Sequence, residues 1–377
     1  MLRIIKIGMD VHSKNYALCA IEPILGEEGE VLAATNVSAD YKNIILFIER
    51  LKQKLGLNYK YEIECGYEAG CLGYSLYHQL TRAGIKCVIL APTTMKTTRG
   101  KRIKTDARDA LLIAQCLGSG GYRKVHIPDD DDNAVKEFIR MRDDQKNHLK
   151  KTKQHINAFC LRYGLFYEGT KWTTTHLNWI RKLDLSPLLK ETLNEYMATY
   201  DVLSAKIDRL DQRIEELANM DRYQEKVKRL ICFIGIQTHT ALSLIVETCD
   251  FERFDKGCTY GAFLGLVPGE HTSSDNVKRL SITKKGNCHL RSLLIESAHG
   301  ICKGAVGRKS RALKARQEGN PADVIAYADM ANARMRNKYY RLIRRGKKRN
   351  VAVAAIAREL ACYVWGMMTD NITRTAN

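Results

Sequence analysis

The segment RIIKIGMDVHSKNYALCAIE, residues 3–22, decides the fold. Apolar residues run through Arg3 to Asp10 and again through Tyr16 to Glu22, with a short polar turn between them, so the segment reads as two tightly joined strands. Two further strands are expected at Lys60–Cys65 and Lys86–Leu90. Helical patterns lie between and after them, at Tyr41–Leu55, Gly73–Ala83 and Asp106–Leu117. Such alternation predicts an α/β domain built on a mixed sheet.

The chain runs far beyond one such domain. Its 377 residues exceed what one hydrophobic core usually organises, so two or three domains are expected. Lys and Arg number 61 against 42 Asp and Glu, a formal charge of +19, and the isoelectric point is near 9.4. That balance implies a polyanionic partner, nucleic acid or an anionic membrane surface. No apolar run reaches the roughly 18 residues of a membrane span, and the first ten residues lack a signal-peptide plan. Nucleic acid in the cytoplasm is the favoured setting, with no membrane. The twelve cysteines form no Cys-x-x-Cys pair and read as buried, reduced thiols.

Charge divides the chain into three blocks: residues 1–128 at +6, 129–225 at −2, and 226–377 at +15. The first is the α/β domain. In the second, Asp129 to Asp132 cap a long helical pattern that runs through Cys160. A second pattern from Pro187 to Leu217 carries Leu203, Ile207, Leu210, Ile214 and Leu217 at spacings of 4, 3, 4 and 3. That is a coiled-coil seam, serving either a dimerisation stalk or packing within the chain. The third block reads as helical, broken by one loop from Pro268 to Gly286. The expected class is therefore α/β plus all-α.

Asp10 closes the first strand, Glu68 follows the third, and Asp106 and Asp109 share one face of a helix's first turn. Taken singly, each fits a capping or strand-end role. Together, in a basic chain, four carboxylates from strand ends and a helix start suit hard Mg²⁺ ions, which need oxygen ligands and negative charge. Two such ions about 4 Å apart can clamp a scissile phosphate. Glu62 and Glu64 are read as surface positions.

Tyr67-Glu68-Ala69-Gly70, Gly73-Tyr74 and Lys104-Thr105-Asp106-x-x-Asp109-Ala110 closely resemble local patterns of the DEDD-type insertion-sequence transposases. Asp10, Glu68, Asp106 and Asp109 match the four acidic letters of that family's RuvC-like, ribonuclease H-like domain. Phe263 to Pro268, Glu270 to Ser274, Ile282 to Asn287 and Leu290-Arg291 resemble its second domain. The resemblance implies a serine nucleophile at Ser273. Ser274 stays open, because Asp275 follows it where the family commonly has Gly. A serine hydroxyl needs a base and a positive setting, expected from His271 and from Lys278, Arg279, Lys284, Lys285 and Arg291.

Phe233 to Ala241 is similar to a helix-hairpin-helix, either phosphate-binding or structural. The run from Arg334 to Arg349, including Arg344, Arg345, Lys347 and Lys348, has no balancing acid of its own and carries Tyr339 and Tyr340, so it reads as a nucleic-acid contact. The family further implies recombination of donor and target DNA guided by a structured bridge RNA, with Mg²⁺, and dimers pairing into a tetramer. Two rivals remain: a RuvC-like, metal-dependent junction-resolving nuclease using the carboxylates alone, and a non-catalytic RNA-binding scaffold.

Overall fold

A computed structural model describes residues 2–24, 29–70, 72–92, 105–273 and 276–372, with backbone only over 271–273 and 276–279. It divides into two compact units, one ending at Ile127 and one beginning at Pro128.

The first unit is built on strands β1 (Leu2–Val11), β2 (Asn15–Glu22) and β3 (Glu30–Ser38), helix α1 (Tyr41–Leu55), strand β4 (Lys60–Glu68), helix α2 (Ser75–Arg82), strand β5 (Lys86–Leu90) and helix α3 (Asp106–Ser119). The sheet order is β3-β2-β1-β4-β5. β1, β2 and β3 pair antiparallel, whereas β4 runs parallel to β1 and β5 parallel to β4. The helices after β3 and β4 return the chain so that the next strand points the same way, as parallel pairing requires.

Strand alternation sorts the two faces. Ile5, Ile7, Met9, Leu18, Cys65, Tyr67 and Ile89 are buried against Ile44, Ile48 and Leu51 of α1 and Leu76 and Leu80 of α2. The opposite face carries Ala17, Cys19, Ile21, Val88 and Leu90, which cluster with Ala110, Ile113, Ala114, Cys116 and Leu117 of α3. Where α3 crosses β1 and β4, that face holds Gly8 and Gly66. A Cβ on Gly8 would stand 2.0 Å from the Ala110 carbonyl oxygen and 2.3 Å from the Ala114 nitrogen, so only glycine admits the helix there. The same face bears Glu64, which is buried and bonded to Lys6 at 2.7 Å. This corrects its reading as a surface position: burial opposes its charge, but the Lys6 hydrogen bond and ion pair outweigh that and hold its carboxyl below the ordinary range.

The sequence reading omits β3. That strand is largely exposed along both faces, so it lacks the apolar alternation that marks a half-buried strand.

The second unit contains α4 (Asp130–Arg162), α5 (Thr174–Arg181), α6 (Pro187–Ala218), α7 (Gln224–Leu230), α8 (Thr238–Thr248), α9 (Gly257–Phe263), the strands β6 (Pro268–Ser273) and β7 (Asn276–Ile282), α10 (Cys288–Ile301), α11 (Arg311–Gln317), α12 (Ala322–Arg344) and α13 (Arg349–Met368). The Asp129 side chain caps α4 by accepting from the Asp132 amide at 2.8 Å. α4 and α6 lie antiparallel, as the pairing of Arg142 with Asp211 and of His155 with Tyr196 requires. Ile207, Leu210 and Ile214 of the heptad seam are buried within this chain. Ile156, Phe159, Leu193 and Met197 form one small core with Ile180 of α5, while Val135, Ile139 and Ile214 join the large core of the later helices.

α13 is long and apolar enough to cross a membrane, yet its Val353, Ile356, Leu360 and Val364 are buried in that large core. Pro268 to Ile282 forms an antiparallel hairpin where the sequence reading places a loop. The Phe233–Ala241 segment is packed inward: a Cβ on Gly235 would meet the Ser297 carbonyl oxygen at 2.3 Å, and the Ile234 amide donates to Asn332 at 3.1 Å. That amide is therefore not available to a phosphate.

Gly8→Ala should destabilise the first unit by about 1–3 kcal/mol or more, because its new methyl meets helix backbone rather than a movable side chain. Urea unfolding read by circular dichroism checks this, and an unchanged midpoint would contradict the close packing of α3 on β1.

Candidate functional site

Asp10 lies one residue beyond the Met9–Tyr67 pair, and Glu68 holds the matching position on β4. Alternation puts Asp10 on the face of Gly8 and Glu68 on the face of Gly66, the side covered by α3. The contact at Gly8 brings the start of α3 over the end of β1. His12 Nε2 then lies 3.4 Å from Asp10 Oδ2 and 4.0 Å from Asp106 Oδ1. One donor atom from each of Asp10, His12 and Asp106 lies within 4.8 Å of the other two.

Burial raises the Asp10 carboxyl above its ordinary range; His12 draws it down, and the charges of Asp109 and Asp106 push it up. Asp109 is thus electrostatically coupled to Asp10. Among the described residues, neither Asp109 nor Glu68 belongs to the three-donor group, and Glu68 is exposed. The sequence reading missed His12. Its signal was the placement two residues past Asp10, in the turn that returns to β2.

This donor set fits a divalent cation. Two carboxylates facing one another repel, and a cation between them removes that repulsion. Oxygen donors suit Mg²⁺ or Mn²⁺, and an imidazole adds weight to the softer of the two.

In the second unit, Ser273 pairs with Asn276 as the last step of the hairpin. Ser274 and Asp275 lie outside the described residues, as do the side chains of His271, Lys278 and Arg279. Register places Lys278 opposite His271, two residues from Ser273, or about 7 Å along the strand. At the root, the Thr283 amide donates to Val267 at 2.9 Å and the Lys284 amide to Gly265 at 3.1 Å. Lys284 and Lys285 are exposed there, about 17 Å of strand from Ser273, beyond the screening length of roughly 8–10 Å in physiological salt. Arg291 is half-buried, and its Nη1 donates to the Leu264 carbonyl at 3.0 Å.

The basic run of the last two helices is partly used by the fold. Arg334 and Lys338 both pair with Glu359, an acid outside the run, which offsets one of their two charges. Arg336 is buried, donating to the carbonyls of Ile301, Ala305 and Lys303 at 2.9, 2.8 and 3.0 Å. Tyr339 is buried and so withdrawn from the stacking role that the sequence suggests, whereas Tyr340 is exposed, with its hydroxyl donating to Gly304 at 2.8 Å. Arg344, Arg345, Lys347 and Lys348 are exposed where α12 passes into α13.

Two family models match the chain. A transposase model of the DEDD type covers residues 7–164, and that of the transposase IS116/IS110/IS902 family covers residues 227–313. The chain is 31% identical over 366 residues to the transposase for insertion sequence element IS1533 of Leptospira borgpetersenii, spanning 92% of this chain and 99% of the relative. It is 30% identical to the putative transposase y4qE of Sinorhizobium fredii, across 97% of this chain and 88% of the relative. The transposase for insertion sequence element IS1111A of Coxiella burnetii is 26% identical over 97% of this chain and 90% of its own length.

The chain belongs to the IS110 family of insertion-sequence transposases. In this IS110-family protein the first match contains Asp10, His12, Glu68, Asp106 and Asp109, and implies a ribonuclease H-like fold for the mixed α/β unit. The second contains the β6–β7 hairpin and α10. An IS110-family transposase acts on DNA.

Adding Mn²⁺ or Mg²⁺ at 100 times its dissociation constant should stabilise the folded protein by about 2.7 kcal/mol if one ion binds the native state alone. Thermal unfolding with and without the metal measures this. Asp106→Asn should abolish the response, and an equal response in that variant would place the ion elsewhere.

Proposed function

We propose that this transposase cuts and rejoins donor and target DNA through Ser273, guided by an element-encoded bridge RNA and assisted by a metal-bound acidic site. The observation that carries the serine assignment is the position of Ser273 as the last paired residue of β6, within the segment matched by the second family model.

Ser273 Oγ attacks phosphorus, forming a phosphoserine ester and breaking the bond from phosphorus to the leaving DNA oxygen. The serine proton passes to His271, which shares β6, and the leaving oxygen ends as a hydroxyl. Attack by a second DNA hydroxyl reverses these roles and restores the serine. The phosphodiester energy stays in the covalent link, so rejoining needs no nucleotide. Lys278 is the basic residue whose register favours it for stabilising charge near the phosphate. Lys284, Lys285 and the Arg344–Lys348 group, being farther along or on other elements, suit the flanking polyanion backbone.

Asp10, Asp106 and His12 would hold the cation, with Glu68 and Asp109 completing the acidic set. The bound ion would supply positive charge to a DNA phosphate. The protein's own contribution is to hold Asp10 and Asp106 together through the contact of α3 with β1. Dimers pairing into a tetramer would supply the copies needed for two duplexes.

Ser273→Ala should keep fold and RNA binding and lose the covalent protein-DNA adduct. Trapping on a nicked substrate and mapping by mass spectrometry tests it. An adduct at Ser274 would move the assignment by one residue. Metal-dependent cutting without any adduct would favour a junction-resolving nuclease, and tight RNA binding with neither activity a scaffold.

Charge reversal at Arg344, Arg345, Lys347 and Lys348 should weaken nucleic-acid binding and flatten its dependence on salt, since each neutralised phosphate releases counterion. Binding isotherms at several salt concentrations measure the slope, and an unaltered slope would exclude this group from the interface.

A further inference from the structure

A partly buried charged cluster, apart from the groups of the proposed chemistry, lies where α10 begins. His289, in the first turn of α10, places Nδ1 2.8 Å from Glu247 Oε1 on α8 and Nε2 2.8 Å from Asp143 Oδ2 on α4. An ionised carboxylate only accepts hydrogen bonds, so both ring nitrogens carry protons and the ring is an imidazolium. Burial works against that charge, but the hydrogen bonds to Asp143 and Glu247 outweigh it and raise His289 to about 9.

Its two partners are held in turn. Glu247 accepts from Arg140 Nε and Nη2 at 2.8 Å each and from Asn287 Nδ2 at 2.6 Å. Burial alone would raise its carboxyl, yet His289, Arg140 and Asn287 bring it down to about 2. Asp143 accepts from Arg142 Nη1 at 2.9 Å, and His239 Nε2 lies 3.0 Å from its Oδ1. Arg142 also forks onto Asp211 of α6 at 2.6 and 2.8 Å.

Asn287 connects the cluster to the hairpin. Its Oδ1 caps α10 by accepting from the Leu290 amide at 3.0 Å, and its own amide donates to Phe263 at 3.2 Å. The preceding Gly286 has φ +85°, and a Cβ there would stand 1.9 Å from the Phe263 carbonyl oxygen. The root has no slack, so movement of Asn287 carries Lys285, Lys284 and β7 with it.

We propose that His289 is a positioning residue for the serine hairpin: by bridging Asp143 and Glu247 it fastens the start of α10, and with it the hairpin root, to α4. This rests on the reading of Ser273 as the nucleophile. Both His289 ring nitrogens are engaged and its side chain is 19% exposed, so it acts through placement and not by proton transfer to DNA.

The charged groups around it are Asp143, Arg140, Arg142 and Lys136 on α4, Glu247 and His239 on α8, and Asp211 on α6. The folded value for His289 lies above its ordinary 6.5. Its contribution is therefore complete below about 6.5 and is lost as pH rises through about 9.

The full-length protein is compared with His289→Gln and His289→Lys by hydrogen exchange and by the rate of recombinant product formation. His289→Gln should accelerate amide exchange over residues 263–287 and lower the rate about tenfold or more per folded molecule at saturating DNA. His289→Lys keeps a cation with several donors, so it should restore most of the rate and carry activity to higher pH than wild type. Unchanged exchange at the hairpin root in His289→Gln would overturn the proposal whatever the nucleophile proves to be. So would a rate that falls only with the folded fraction, or wild-type and His289→Gln profiles that fall together at alkaline pH. Should His289→Gln not fold, Asn287→Ser keeps the α10 cap while removing the bond to Glu247, and must give the same exchange signature. A missing adduct at Ser273 with the exchange result intact would reject only the nucleophile.

Discussion

The backbone of α3 passes so close to β1 at Gly8 that any side chain there would occupy the space of a helix carbonyl. This contact sets the depth at which α3 lies on the sheet. Because the helix begins only four residues before Ala110, it also sets where Asp106 stands relative to Asp10. The constraint is softer at Gly66 on the neighbouring strand, where a Cβ would meet only side-chain ends, Leu90 Cδ1 at 2.8 Å and Leu117 Cδ2 at 2.9 Å. Two carboxylates that repel one another are held together by packing several residues away, where apolar contacts of Ile113, Ala114 and Leu117 supply the adhesion. The acidic end thus inherits its geometry from the α3–sheet interface.

The second unit manages charge differently. Its largest core is apolar and centred on α13, but Asp211, Arg142, Asp143, His289, Glu247 and Arg140 alternate in sign along one bonded series through α6, α4, α10 and α8. An isolated buried ion is very costly, whereas each of these has a partner of opposite sign and directed hydrogen bonds. Such a series adds less net stability than apolar packing of equal volume. What it adds is register, because a helix sliding by one residue would leave a carboxylate or guanidinium without its partner. That is consistent with its location at the root of the hairpin and not in the middle of the core.

Local features were legible in the sequence and long-range ones were not. β1, β2 and β5 follow from short apolar runs, and the Asp106 helix from its periodic pattern and the Asp106–Asp109 spacing, because those signals lie within a few adjacent residues. β3 escaped because it is largely exposed on both faces, and the β6–β7 hairpin because Gly269, Ser273, Asn276 and Lys278 give the composition of a loop. The heptad seam of α6 was readable, but a repeat of apolar residues cannot state whether its partner is another copy or α4 of the same chain. His289 and Asp143 are separated by 146 residues, so nothing in either neighbourhood announces the other. His12 was within reach, since its distance from Asp10 along the chain is two residues.

Net charge shows the same limit from another side. The block from 226 to 377 carries +15, yet a formal count weighs a buried arginine like an exposed one. Arg336 replaces water with four backbone carbonyls at and beyond the end of α10, and being buried it presents little positive surface to a polyanion. Arg334 and Lys338 share Glu359, which offsets one of their two charges. Among the exposed cations that remain are a cluster at the passage from α12 to α13 and a pair at the hairpin root, some 17 Å of strand from Ser273. At physiological ionic strength, charges that far apart act on different phosphates, because the Debye length is about 8 Å. The cations of this unit therefore divide into those that hold the fold and those left at the surface, and under the proposed reading of Ser273 the β7 residues are the ones within reach of its chemistry.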